Sequence, residues 1–175
     1  MKKIIKYYLP LLFINIIFYF SHRFFMLLFL KILNLNGLNL TGKPRYIGNK
    51  VVFDDLKKIT LGDRVVISND CHFLTHDYSL TTALISIGEK PSTDLAFVRE
   101  IIVNDNVFIG KKTMILPGTI IGENTIIGAG SVVRGKLLPN SIYIGNPAEK
   151  IGELKAKALL WKERMDLNPN NIKRD

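Results

Sequence analysis

His76 stands in the stretch Cys71-His-Phe-Leu-Thr-His-Asp-Tyr, and an imidazole, with an ordinary pKa of about 6.5, is the side chain best suited to move a proton near neutral pH. Whether it can do so depends on how the chain holds it. Around it, aliphatic or aromatic residues recur every six positions: at Ile47 and Phe53, then after a two-residue insertion at Leu61, Ile67 and Phe73, and again at Val103, Ile109, Ile115, Ile121, Ile127 and Val133. In hexads such as Leu61-Gly-Asp-Arg-Val-Val and Ile121-Gly-Glu-Asn-Thr-Ile the second residue is often glycine and the fifth is small or β-branched. A short strand that turns its aliphatic residue inward, followed by a tight corner, accounts for that pattern. Three hexads make one triangular coil, and stacked coils make a solenoid whose backbone edges pair with the coil above or below.

In this frame His76 is the fourth residue of the hexad that begins at Phe73, an outward corner, and Asp77 takes the fifth slot, which should be small. The spacing then stops. From Tyr78 to about Arg99 the chain makes an excursion of the length that marks a functional loop. A histidine at an outward corner, beside a loop able to cover it, is suited to take a proton from a substrate hydroxyl. Cys71, fifth in its hexad, is expected to face inward, and His72 to lie along a strand edge. Because His22 falls outside the repeats, the three histidines make no zinc site and no metal is expected. Asp77 adjoins His76 on an extended chain and should point to the opposite face. Asn49, Asp54 and Asp55, from the preceding coil, and Asp77 are the candidate substrate-binding residues, although turn chemistry explains them equally well.

The 175 residues suffice for one core, and a single cysteine excludes a disulfide framework and points to a reducing, cytoplasmic setting. Formal charge is +9, concentrated at the amino terminus: residues 1–53 hold Lys2, Lys3, Lys6, Arg23, Lys31, Lys43, Arg45 and Lys50 and no acidic residue. Within it, the apolar run from Tyr7 is interrupted by Pro10, Asn15 and Ser21-His22-Arg23, which is marginal for a membrane span and fits two short helices better. With no small-x-small site following, the segment is expected to be retained. Its lysines and arginines, with Phe18, Tyr19, Phe20, Phe24 and Phe25, are expected to meet an anionic membrane surface on the cytoplasmic side; the competing expectation is packing on the protein's own body or on a partner subunit.

The segment Asn104 to Val133 (NDNVFIGKKTMILPGTIIGENTIIGAGSVV) and the closing Ile144 to Ile151 (IGNPAEKI) resemble the hexapeptide-repeat acyltransferases, the family that includes maltose, galactoside and polysaccharide O-acetyltransferases. The likeness covers Ile47 to about Gly152. It implies an all-β solenoid, a left-handed parallel β-helix, against the usual right-handed preference of crossover connections. It also implies acetyl-CoA as acyl donor, bound in a groove between two subunits of a homotrimer, and His76 as the catalytic histidine. Lys111, Ala129 and Arg134 with Gly135 match the family's cofactor-binding positions. Relatives commonly have Thr-Lys where this chain has Arg134-Gly135-Lys136, which shifts the basic phosphate contact to Arg134 or Lys136.

Three regions are expected: an apolar basic helical segment over residues 1–40, the β-helix over 41–148 with its loop at 78–100, and a C-terminal helix and tail over 149–175. Glu149 to Met165 carries apolar residues near helical spacing and is expected to cap the last coil; Asn168 onward is expected to be disordered. The function expected is O-acetylation of a sugar or glycan hydroxyl, in surface polysaccharide synthesis, with no nucleic-acid partner. An N-acyltransferase acting on an amino-sugar nucleotide and a non-catalytic, membrane-tethered scaffold are the alternatives.

Overall fold

The computed structural model describes residues 16–172. A helical turn at residues 16–20 ends at Ser21, whose side chain accepts a hydrogen bond from Phe24 N and opens α1 (His22–Leu35). The hexad positions then become strands of two or three residues. β1 (Asn39–Leu40), β2 (Tyr46–Ile47) and β3 (Val52–Phe53) form the first coil, and β4 (Ile59–Leu61), β5 (Val66–Ile67) and β6 (His72–Phe73) the second. There the chain leaves the solenoid as β7 (His76–Asp77), α2 (Ser79–Ser86) and β8 (Phe97–Val98), with β7 and β8 antiparallel. It returns as β9 (Ile101–Val103), β10 (Phe108–Ile109) and β11 (Met114–Ile115), then β12 (Ile120–Ile121), β13 (Ile126–Ile127) and β14 (Val132–Val133). β15 (Lys136–Leu137) and β16 (Ser141–Gly145) begin a fifth coil, and β17 (Ala148–Glu153) leads into α3 (Leu154–Leu167).

These strands make three parallel sheets, β1-β4-β9-β12-β15, β2-β5-β10-β13-β16 and β3-β6-β11-β14. Ile47, Ile67, Ile109 and Ile127 align across one sheet, and Phe53, Phe73, Ile115 and Val133 across another, so each hexad start stacks in an interior column. Fifth-position residues Thr113, Thr119 and Ser131 are buried yet satisfied: their hydroxyls donate to the corner carbonyls of Gly110, Leu116 and Gly128, each at 2.7 Å. A 3-10 turn, Leu56–Lys58, absorbs the two-residue insertion, capped by Asp55 and anchored by buried Leu56.

Both ends differ from expectation. The first strand is Asn39–Leu40, so the solenoid starts just before residue 41. Phe25, Met26, Phe29 and Leu33 form one stripe of α1 that joins the core cluster of Leu38, Ile47 and Phe53. Each such burial stabilises by about 1.5–3 kcal/mol, and the first coil, with no coil beneath it, gains a lid. Met26 Sδ accepts from Ile47 N at 3.2 Å, satisfying a donor that a further coil would otherwise bind. Phe25, expected to insert into a membrane, is therefore fully buried in the protein's own core, whereas Tyr19, Phe20 and Phe24 stay exposed. Among the described residues no helix is long and apolar enough to cross a membrane. Lys2, Lys3, Lys6, Pro10 and Asn15 lie outside the described residues.

At the other end, Glu149 to Glu153 is strand rather than helix. β16 presents an open edge, and β17 folds back beyond Asn146-Pro147 to pair with it antiparallel. The strand does the capping expected of the helix. α3 buries no residue and leaves Leu159, Leu160 and Trp161 exposed, and Pro169–Asn171, expected to be disordered, is a 3-10 turn.

Candidate active site

His76 lies at the start of the excursion, where β7 continues the corner after β6. Its Nδ1 is 2.6 Å from Asp54 Oδ2, and that oxygen also accepts from Thr75 N at 3.2 Å and Thr75 Oγ1 at 3.1 Å. Asp54 reaches it through register: Phe53 pairs with Phe73, so the residue after Phe53 stands one coil away at the same corner. Burial tends to raise the Asp54 pKa, but the His76 hydrogen bond and the two from Thr75 outweigh it, and the carboxyl falls below its ordinary range. With that carboxylate ionised, Nδ1 carries the hydrogen and donates, leaving Nε2 as the basic nitrogen. The ring stacks near Tyr78, centroids 6.5 Å apart.

A cleft of about 290 Å³ opens beside the ring, lined by Leu74, Leu116, Pro117 and Arg134 from successive coils and by Asp77, Phe97 and Arg99 from the excursion. Leu74, Leu116 and Arg134 follow the aligned Phe73, Ile115 and Val133, so one corner carries the cleft up the solenoid from His76 to Arg134. Arg99 is held by its backbone N to Thr75 O at 3.0 Å, and its guanidinium lies over the Phe97 ring.

The other residues singled out in the sequence separate into three groups. Asp55 caps the 3-10 turn through Lys57 N, and Asp77 Oδ1 accepts from Ser79 N at 3.0 Å at the start of α2. The Ser79 side chain and backbone hold the Asp77 carboxyl below its ordinary range. Asn49, Lys111 and Ala129 share register with Asn69 on a different corner, the one joining the second sheet to the third. Lys111 Nζ there lies 3.4 Å from Asp70 Oδ2. Gly135 follows Arg134 at the end of the cleft, and Lys136 is exposed on β15. Of the candidates, then, Asp54, Asp77, Arg134 and Gly135 are at the His76 corner; Lys111, Ala129 and Asn49 are not. Cys71 is fully buried, with Sγ donating to Gly110 O at 3.1 Å, and burial pushes its thiol pKa up. Among the described residues no three His, Cys, Asp or Glu side chains converge as metal ligands.

The stacked hexads have a counterpart among known proteins: the bacterial transferase hexapeptide, in six repeats, matches residues 100–135. Those residues carry the hexapeptide repeat. The chain is 32% identical over 113 residues to a putative acetyltransferase of Schizosaccharomyces pombe, covering 65% of this chain and 52% of that protein. The crystal structure of a maltose O-acetyltransferase from Clostridium difficile 630 is 26% identical with a TM-score of 0.56, covering 71% of this chain and 73% of that one. A galactoside acetyltransferase solved in complex with coenzyme A shares the fold, at 21% identity and a TM-score of 0.55, covering 74% and 71%. The chain spans about half to three fifths of the length of the first curated relatives it matches.

The sequence did not single out Asp54 as the partner of His76, nor Thr75, Phe97 and Arg99 as its surroundings. The offset between Phe53 and Phe73 was the available signal for Asp54, since residues one coil apart in register are neighbours.

Proposed function

We propose that this hexapeptide-repeat chain is an acetyl-CoA-dependent O-acetyltransferase that acts on a hydroxyl of a sugar or glycan, with His76 as general base, and that its coils wind left-handed as in the family. The observation that carries the reading is the 2.6 Å pair between His76 Nδ1 and Asp54 Oδ2 at the mouth of a cleft that ends at Arg134. Asp54 fixes the imidazole in the tautomer whose Nε2 accepts the hydroxyl proton. The acceptor oxygen attacks the thioester carbonyl directly, the bond to sulfur breaks, and the imidazolium returns its proton to the departing thiolate. Cys71, buried and pointed inward, takes no part. The maltose and galactoside enzymes named above support a sugar acceptor, and the coenzyme A complex supports the donor.

The donor suits this chain's surface. Arg134 and Lys136 are exposed cations for its phosphates, and Gly130, beside Ala129, has nothing within 4 Å of where a Cβ would stand, leaving an open strip for a thin chain. Asp70 already engages Lys111, so that lysine contributes only part of its charge. Because Lys111 and Ala129 occupy a different corner from His76, a complete site needs both corners together, which a second copy supplies. Beside the Lys111 corner the outward column Tyr46, Val66, Phe108, Ile126 and Ile142 is apolar; Val66 and Ile142 are already buried in the chain, and Phe108, with Met114 nearby, leaves an exposed apolar patch. Closed threefold symmetry would bury it. Purified protein should release free thiol from acetyl-CoA faster with a panel of soluble glycosides than without, and His76→Ala should lower that rate by about two to four orders of magnitude. Near-normal turnover in that variant, or loss of activity in Cys71→Ser instead, would refute the mechanism.

A further inference from the structure

A second groove lies away from His76, at the end of the solenoid closed by α1. It measures about 730 Å³ and runs between α1 and the corners that join the first sheet to the second in coils one and two. Met26, Leu27, Leu30 and Pro44 make an apolar floor. Arg23, Lys43, Arg45 and Arg64 stand around it, against a single carboxylate, Asp63, whose Oδ1 is engaged by Lys43 N at 3.0 Å. None of the four cations is ion-paired among the described residues. Arg64 holds a left-handed backbone, φ 54°, at the corner position that Asn106, Asn124 and Asn140 occupy in later coils. Those asparagines bond to one another along the stack, Asn106 to Asn124 at 2.8 Å and Asn124 to Asn140 at 3.1 Å. The chain thus breaks a self-satisfied ladder to put a guanidinium beside the groove. Phe24 and Leu27 on α1, and Tyr19 and Phe20 on the helical turn before it, are more than half exposed.

We propose that this groove seats an anionic phospholipid of a bilayer, its phosphate among Arg23, Lys43, Arg45 and Arg64 and its first acyl carbons on Met26, Leu27 and Leu30. Charge complementarity selects an anion, and the apolar floor with its exposed aromatic border selects one that carries a hydrocarbon tail at an interface. An acidic protein surface would satisfy the cations and leave Tyr19, Phe20 and Phe24 in water. Attachment here points the closed end of the solenoid at the membrane and leaves the His76 corner on its flank.

Flotation of the full chain with vesicles of phosphatidylcholine containing about 30% phosphatidylglycerol, against pure phosphatidylcholine, tests this. The parent should float with the anionic vesicles only. Arg45→Gln combined with Arg64→Gln should weaken partition about thirtyfold, each cation near the surface contributing about fivefold, and Leu27→Asp should weaken it as well. Lys155→Gln with Lys157→Gln, on α3 beyond the opposite end, removes the same charge and should change little. All variants should keep the parent's melting temperature and thiol-release rate with soluble acceptors, which separates this site from the transfer chemistry. Equal losses in the two charge pairs, a groove variant that binds like the parent, or a parent that ignores both vesicles overturns the proposal. So does loss of flotation on deleting residues 1–15 while the groove variants still bind, or displacement of the protein from vesicles by millimolar glycerol phosphate.

Discussion

Replacing Asp54 by asparagine removes the negative charge beside His76 while keeping an oxygen for Thr75 N and Oγ1. The size of the loss follows from exposure. The His76 and Asp54 side chains are 29% and 38% exposed, so their surroundings lie between a protein surface and water, where unit charges about 4 Å apart interact by about 4 and about 1 kcal/mol respectively. A hydrogen bond to a charged group contributes about 1.5–3 kcal/mol, and the two ranges overlap at about 1.5–3 kcal/mol, a rate loss of about 10- to 150-fold. That is less than removing the imidazole itself. Thiol release from acetyl-CoA, measured over donor concentration, should show the loss in kcat with donor KM unchanged, because Asp54 acts through the tautomer and charge of His76 and not on the donor. Asp54→Glu should recover part of the rate, since a carboxylate one methylene longer can still accept from Nδ1. If Asp54→Asn keeps kcat within about twofold of the parent, or if Asp54→Glu is no better than Asp54→Asn, the carboxylate does not orient the base.

Asp54 also links folding to pH. Its folded pKa is depressed below 3.8, so the stabilisation is present above that value and is lost as pH falls through the lowered one; melting temperatures of the parent and Asp54→Asn should differ at neutral pH and converge in acid. Cys71→Ser should keep catalysis but melt lower, because a hydroxyl replaces a thiol in an apolar interior. Phe29→Ala, in the α1 stripe, should cost about 3–5 kcal/mol in denaturant unfolding. Gly110→Ala should fail to fold or should melt far below the parent, because its Cβ would stand 2.5 Å from the Ala129 backbone N. Light scattering should report a trimer, and an active monomer would refute the shared site.

The six-residue period made the solenoid legible, because burial of one aliphatic residue per side is a local requirement that each hexad repeats. Every start from Ile47 to Val133 is an inward residue of a strand. His76 was legible as the place where that repetition fails. The ends were harder, and for one reason: a coil at an end lacks a neighbour, so its sequence answers to whatever covers it. Asn39-Leu40 carries no hexad signature yet pairs with β4. Phe25, Met26, Phe29 and Leu33 have a stripe that serves equally to enter lipid or to close the first coil, and only the vacancy at that coil decides between them. At the far end, Glu149 to Glu153 has neither strand alternation nor hexad spacing, and the open edge of β16 makes it a strand.

Asp54 shows what a one-dimensional period cannot carry. Its identity suits a turn, as does that of Asp55 beside it, and nothing local separates them. Separation comes from stacking: the interval from Phe53 to Phe73 is one coil, so Asp54 shares a corner with Leu74, next to His76, whereas Asp55 starts the 3-10 turn that takes up the insertion. The same accounting divides the remaining candidates. Asn49, Asn69, Lys111 and Ala129 each lie two residues beyond an aligned isoleucine and therefore line one corner, while Arg134 follows Val133 and lines the other. If the proposed donor site draws on both corners of this one prism, it does so across a boundary between copies, and the proposed trimer and the proposed chemistry are then tested together.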